Sequence, residues 1–266
     1  MRNPATMHID RMTTAEMLEC IQRENENAAA AVGKALPSIE KACDSIAERL
    51  ADGGRLIYIG AGSSGRLGVL DAVECPPTYG VPQSMVSGII AGGPKCMFQA
   101  AENEEDNAES AVRDLKDHEL GGKDALVGIS AAGNAAYVVG ALEYAKSLGC
   151  VTVGITSNEG SLLTKCADIS IVADTGPEVI TGSTRMKAGT AQKMILNMLS
   201  TVAMIKLGNV YENMMINLRP TNAKLKKRVI GILREITGLD EEEAVKYLEE
   251  SNWNIRNAAE AYADKH

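Results

Sequence analysis

Residues 56–80 read LIYIGAGSSGRLGVLDAVECPPTYG. The stretch opens on an unbroken apolar run, 56–59, turns through Gly60, Gly62 and Gly65, and continues with helical spacing near 65–73. An apolar run without alternation is the mark of a strand buried on both faces. A glycine-rich turn into a helix is where a parallel sheet offers backbone N–H groups to an anion. Further runs at 85–90, 125–129, 151–155 and 169–172 are separated by helical stretches near 94–101, 108–116, 135–148 and 161–166. This order predicts an α/β fold, a doubly wound parallel five-stranded sheet flanked by helices.

Before the sheet, residues 14–50 read as helix, with Ile39, Ala42, Cys43, Ile46 and Leu50 on one stripe and Gly53-Gly54 as the stop. After it, 190–206 carries a Met-rich helical stripe that reads as core or subunit interface. Asp240 and Glu243 then have capping-box spacing, and Asn254 can start a last helix. The predicted organisation is N-terminal helices over 1–50, the sheet domain over 51–222, and a small helical tail over 223–266 anchored by Trp253.

The 266 residues carry a net charge of −8, which argues against nucleic acid, because phosphate backbones call for a basic face. No apolar run approaches the roughly 20 residues that span a bilayer, and MRNPATMHIDRM holds no signal-peptide core. The six cysteines include no C-x-x-C pair and read as reduced thiols of a cytoplasmic protein. Three histidines far apart suggest no metal site, and no cofactor is expected.

Three loops can hold a ligand. In the first, Gly62, Ser63, Ser64 and Gly65 join a tight turn to hydroxyl and backbone donors. The loop reads as out of register with the dinucleotide fingerprint and no Gly-Lys-Ser/Thr follows, so neither NAD nor ATP is expected, and a small phosphorylated metabolite fits better than a nucleotide. The second, SAAGNAA at 130–136, offers Ser130, Gly133 and Asn134. The third, TGSTRMKAGT at 181–190, gathers Ser183, Thr184, Arg185 and Lys187 before a long helix, as an anion site or as a helix cap. Two groups of carboxylates stand out: Glu74, followed by Cys75-Pro76-Pro77, and the acidic run of Glu102, Glu104, Glu105 and Asp106. By itself such a run is usually a solvated face, and Cys75, with no histidine nearby, reads as a structural thiol.

The runs IYIGAGSSGRLGVLDAVECPPTYG, IAGG, ENEED, EVITGSTRMKAGTAQKMILNMLST and NMMINLRPTNAKL resemble the N-acetylmuramic acid 6-phosphate etherase family, relatives of glucokinase regulatory protein. The resemblance implies a sugar isomerase (SIS) fold, a homodimer with its active site near the interface, and no metal or redox cofactor. It implies cleavage of a D-lactyl ether in the recycling of cell-wall amino sugars, with a sugar phosphate as the ligand. Carried over by motif, Glu74 matches the family's catalytic acid and Glu105 its second catalytic glutamate. At 131–137 the chain reads AAGNAAY where the family reads ASGRTPY, so two hydroxyls and an arginine are missing from that loop. The alternatives are a sugar-phosphate-binding regulator without turnover, or an etherase acting on a differently phosphorylated or unphosphorylated muramic acid derivative. The tail resembles a ubiquitin-associated module, with no ubiquitin partner implied.

Overall fold

The computed structural model describes residues 1–100, 103–217, 220 and 223–265. Glu102 of the acidic run, residues 218, 219, 221 and 222 of the NMMINLRPTNAKL run, and His266 lie outside them.

Helix α1, Thr14–Ala51, begins at a capping box: Thr13 Oγ accepts from the Glu16 N–H, and the Glu16 carboxylate accepts from the Thr13 N–H at 2.7 Å. It buries Ala28, Val32, Ala35, Ile39, Ala42, Cys43, Ile46 and Leu50, and Gly53 at φ +80° ends it. Strand β1, Leu56–Gly60, leads into α2, Gly62–Tyr79, and β2, Val86–Ile90. Next come α3, Ala108–Asp117, β3, Ala125–Ile129, α4, Ala136–Ser147, and β4, Val151–Thr156. The short α5, Leu162–Cys166, the strand β5, Ile169–Val172, and α6, Lys187–Lys206, follow. The expected strands are therefore present within about a residue.

All pairings in this sheet are parallel, in the order β2-β1-β3-β4-β5, with Leu56 opposite both Val86 and Ala125. Every residue of β1 and β3 is buried, which explains why neither strand alternates in sequence. In this order the chain reverses direction of travel between β1 and β3, the point at which ligands bind beyond the carboxyl ends of the strands.

Three helices differ from their expected extents, α6 by starting at Lys187 rather than at 190. α2 does not stop near 73 but runs through Pro76 and Pro77 to Tyr79. Each proline forfeits one helical hydrogen bond, yet its fixed φ suits a helix, and Gly80 at φ +68° closes the element. The stretch expected as a helix at 94–101 is instead a single 3-10 turn, Pro94–Met97. Gly92 and Gly93 both have positive φ immediately before Pro94, so the chain is still turning where a helix would have to start.

The chain divides into two compact units. The first joins Met1–Ala72 with Ser84–Ala203, and the second joins Val73–Gln83 with Met204–His266. The second unit contains a two-stranded antiparallel ribbon of β6, Val210–Tyr211, and β7, Met214–Met215. Its helices are α7, Ala223–Thr237, α8, Glu241–Glu250, and α9, Ile255–Ala263. Asp240 and Asn254 cap α8 and α9 through the N–H groups of Glu243 and Asn257, as their sequence positions suggest. Val229, Leu233, Ala244, Leu248, Ile255 and Ala258 form the core of this unit, with Trp253 packed at its edge under the Lys226 ammonium.

Candidate active site

Contrary to the out-of-register reading, Gly60, Gly62 and Gly65 do have the G-x-G-x-x-G spacing, and the backbone gives each a separate reason. A Cβ at Gly65 would lie 2.5 Å from the Gly60 carbonyl oxygen, and one at Gly60 would lie 2.8 Å from the Gly65 nitrogen. Strand end and first helical turn are thus in direct backbone contact. Gly62 opens the helix at φ +52°. The tight turn leaves the N-terminus of α2, with half-buried Ser63 and Ser64, at the carboxyl end of the sheet.

Beside this turn is a cavity of about 380 Å³ lined by Gly62, Arg66, Cys96, Asn103, Glu104 and Glu105 among others. The Arg66 guanidinium donates to the carbonyls of Met97 (3.1 Å) and Gln99 (3.0 Å), and so ties α2 to the segment that precedes the acidic run. Asn103, at φ +66°, turns the chain into a 3-10 turn at Glu104–Asp106. The half-buried Glu104 packs over Gly92, where a Cβ would come within 3.0 Å of its side chain. Glu105 is exposed at the cavity. One cavity therefore joins a helix N-terminus, which favours an anion, to carboxylates able to move protons.

The 130–134 loop is stitched to the loop beyond β4. Ser130 Oγ accepts from the Gly133 N–H at 3.1 Å, and Asn134 Oδ1 accepts from the Leu162 N–H at 3.0 Å. Gly133 has φ +73°, and a Cβ there would lie 2.3 Å from Ser161 Oγ. The Ser130 oxygen thus accepts within the loop and the Asn134 oxygen accepts from the segment beyond β4, while the Ser130 hydroxyl proton remains to be given.

At the third loop, Thr184 and Arg185 are exposed and Ser183 is half-buried. Lys187 behaves differently. It is 1% exposed, and its ammonium pairs with the Glu24 carboxylate of α1. Burial raises the Glu24 carboxyl, but the Lys187 ammonium overrides this and holds it below its ordinary range. Buried Glu178 takes the place of an anion at the start of α6: its two carboxylate oxygens accept from the N–H groups of Lys187 and Ala188, each at 3.0 Å. The first donors of α6 are consequently occupied from within the chain.

α2 and α6 are fastened side by side. Ser64 Oγ lies 3.0 Å from Gln192 Oε1, and Asn197 Nδ2 donates to Asp71 Oδ1 at 2.7 Å. Tyr58 donates to the other Asp71 oxygen at 2.9 Å. Glu24, Asp71, Glu178 and Gln192 escaped the reading by motif. Glu178 is nine residues before the helix nitrogen it serves, beyond the three-residue offset that a cap signal covers. Glu24 is 163 residues from its lysine. The remaining predicted residue, Glu74, is exposed on α2 within the second unit, whereas Gly62, Glu104 and Glu105 share a cavity of the first.

Over 257 residues the chain is 52% identical to the N-acetylmuramic acid 6-phosphate etherase of Clostridium beijerinckii, spanning 97% of this chain and 84% of that protein. It is 53% identical over 255 residues to the etherase of Clostridium botulinum, spanning 96% and 84%. The chain belongs to the N-acetylmuramic acid 6-phosphate etherase family. The resemblance carried by ECPPTYG and GSTRMKAGTAQK is thereby borne out. Within this etherase-family chain, residues 38–146 match the glucokinase regulatory protein N-terminal SIS domain, 108–202 the SIS domain, and 233–266 a UBA-like domain. The phosphoheptose isomerase of Neisseria gonorrhoeae superposes with a TM-score of 0.55 at 16% identity, covering 72% of this chain and 98% of that one. At that identity the likeness establishes the etherase family's sheet architecture alone. No helix among the described residues is long and apolar enough to cross a membrane.

Proposed function

We propose that this chain is a carbon–oxygen lyase that cleaves the D-lactyl ether of N-acetylmuramic acid 6-phosphate, giving N-acetylglucosamine 6-phosphate and D-lactate. Its membership of the etherase family supports the reaction. The observation that carries the site assignment is the cavity that places Glu105 beside the N-terminal turn of α2 at Gly62.

An ether is a poor substrate for direct displacement. Opening of the sugar ring exposes a C1 aldehyde, which acidifies the C2 proton. A base removes that proton, the C3–O bond breaks, and an acid protonates the departing lactyl oxygen. Water then adds its hydroxyl at C3 of the unsaturated aldehyde while C2 regains a proton. The sequence is redox-neutral and needs one acid and one base. In this reading Glu105 moves protons to and from carbon and water, and Glu74 protonates departing lactate. The 6-phosphate is held by Gly62, Ser63, Ser64 and Gly65, with the Ser130 hydroxyl, the half-buried Ser183 and the exposed Thr184 and Arg185 as further donors. Lys187, with its ammonium engaged by Glu24, serves that loop by neutralising a half-buried carboxylate. The working unit is a homodimer of the cytoplasm.

The test is to incubate the chain with N-acetylmuramic acid, with and without the 6-phosphate, and to measure D-lactate. Release from the phosphorylated sugar alone is expected. Equal release from both would remove the phosphate from the assignment. Release from neither would leave a sugar-phosphate binder without turnover.

A further inference from the structure

Gln192 is 2% exposed, the sixth residue of α6, and its Nε2 is buried without a hydrogen-bond partner among the described residues. Its Oε1 faces Ser64 Oγ, the third residue of α2, at 3.0 Å. The first turns of the two helices are close: a Cβ at Gly189 would lie 3.9 Å from Leu67 Cδ1. In this orientation the Ser64 proton is consumed by the amide oxygen, and the hydroxyl can turn only lone pairs toward an anion. The amide meanwhile buries an unsatisfied N–H group, the rarer kind of orphan in folded proteins.

The two ends of a carboxamide are nearly the same in shape, and hydrogen bonding decides which is which. Turned by half a rotation, the same 3.0 Å contact has Nε2 donating to Ser64 Oγ. The carbonyl, a less costly group to leave under-satisfied, takes the buried place. The Ser64 proton is then released. We propose that Gln192 is a positioning residue of the phosphate loop: its amide donates to Ser64 Oγ and so directs the Ser64 hydroxyl proton to the substrate phosphate. This rests on the etherase reading above.

The experiment titrates N-acetylglucosamine 6-phosphate into the full chain by calorimetry and measures KM and kcat for D-lactate release. It compares wild type, Gln192→Met, Gln192→Glu, Ser64→Ala and the Ser64→Ala/Gln192→Met double variant. Gln192→Met, which leaves Ser64 undirected, is expected to weaken binding and raise KM about tenfold with kcat within about twofold. Gln192→Glu keeps the shape but only accepts, so it should weaken binding further, and it supplies the reading if the Met variant melts early. In the Ser64→Ala background the Gln192→Met change should add nothing. Unaltered binding in both Gln192 variants, or a loss of equal size with and without Ser64, would overturn the proposal alone. A wild type that neither binds the sugar phosphate nor releases lactate would overturn the etherase reading along with it.

Discussion

Glu105 is exposed at a cavity wall and Glu74 is exposed on its helix, so neither carboxylate has a packing role to lose. Glu105→Gln and Glu74→Gln should each lower kcat for D-lactate release by about 10²–10⁴-fold, the range for removing one general acid or base. Their thermal midpoints should stay close to wild type. Retained activity in either variant would remove that glutamate from the proposed mechanism. Lys187 is the opposite case, a predicted ligand residue that the tertiary structure buries against Glu24. Lys187→Met leaves a largely buried carboxylate unpaired, and the cost should be about 3–5 kcal/mol. The pair also sets a pH dependence. Because the folded Glu24 carboxyl is held below its ordinary 4.5, its stabilisation is complete above that value and is lost as pH falls through the lower folded one. Thermal midpoints measured between about pH 3 and 7 should show this acid-side decline in wild type and lack that contribution in Lys187→Met.

At the scale of elements, the strands were legible because burial on both faces removes every polar residue from them, a signal that survives in one dimension. The caps at Asp240 and Asn254 were equally local, since each bonds a nitrogen three residues on. The end of α2 and the turn at Pro94–Met97 were not, because proline and glycine lower helix propensity without fixing where a packed helix stops. The start of α6 escaped for a different reason, its cap being supplied from Glu178. Glu178→Ala should therefore destabilise the chain by about 1–2 kcal/mol, read as a lower denaturant midpoint, and raise amide exchange in the first turn of α6. Gly65→Ala should act on function and on stability together. Its methyl would press on the Gly60 carbonyl and on Ile90, opening the turn and abolishing binding of N-acetylglucosamine 6-phosphate.

For the whole molecule, two compact units make a specific expectation about local stability. Leu233 is fully buried in the core of the second unit, and Leu233→Ala should cost that unit about 2–5 kcal/mol. Hydrogen exchange should then rise together in 73–83 and in the segments after 204, while β1 and β3 stay protected. Uniform loss of protection would mean that the chain unfolds as one body. The sequence by itself determined the order of strands and helices, the glycine turn after β1, the etherase family, and the residue types that could serve a sugar phosphate. Each of these rests on periodicity or on contiguous motifs, which are properties of the chain read in line. Only the tertiary structure decided which polar groups remain available: Lys187 is spent on Glu24, the first nitrogens of α6 on Glu178, the Ser130 oxygen on its own loop and the Asn134 oxygen on the Leu162 N–H. A polar group's free valence depends on neighbours that arrive from distant parts of the chain, and burial makes each of those pairings costly to break.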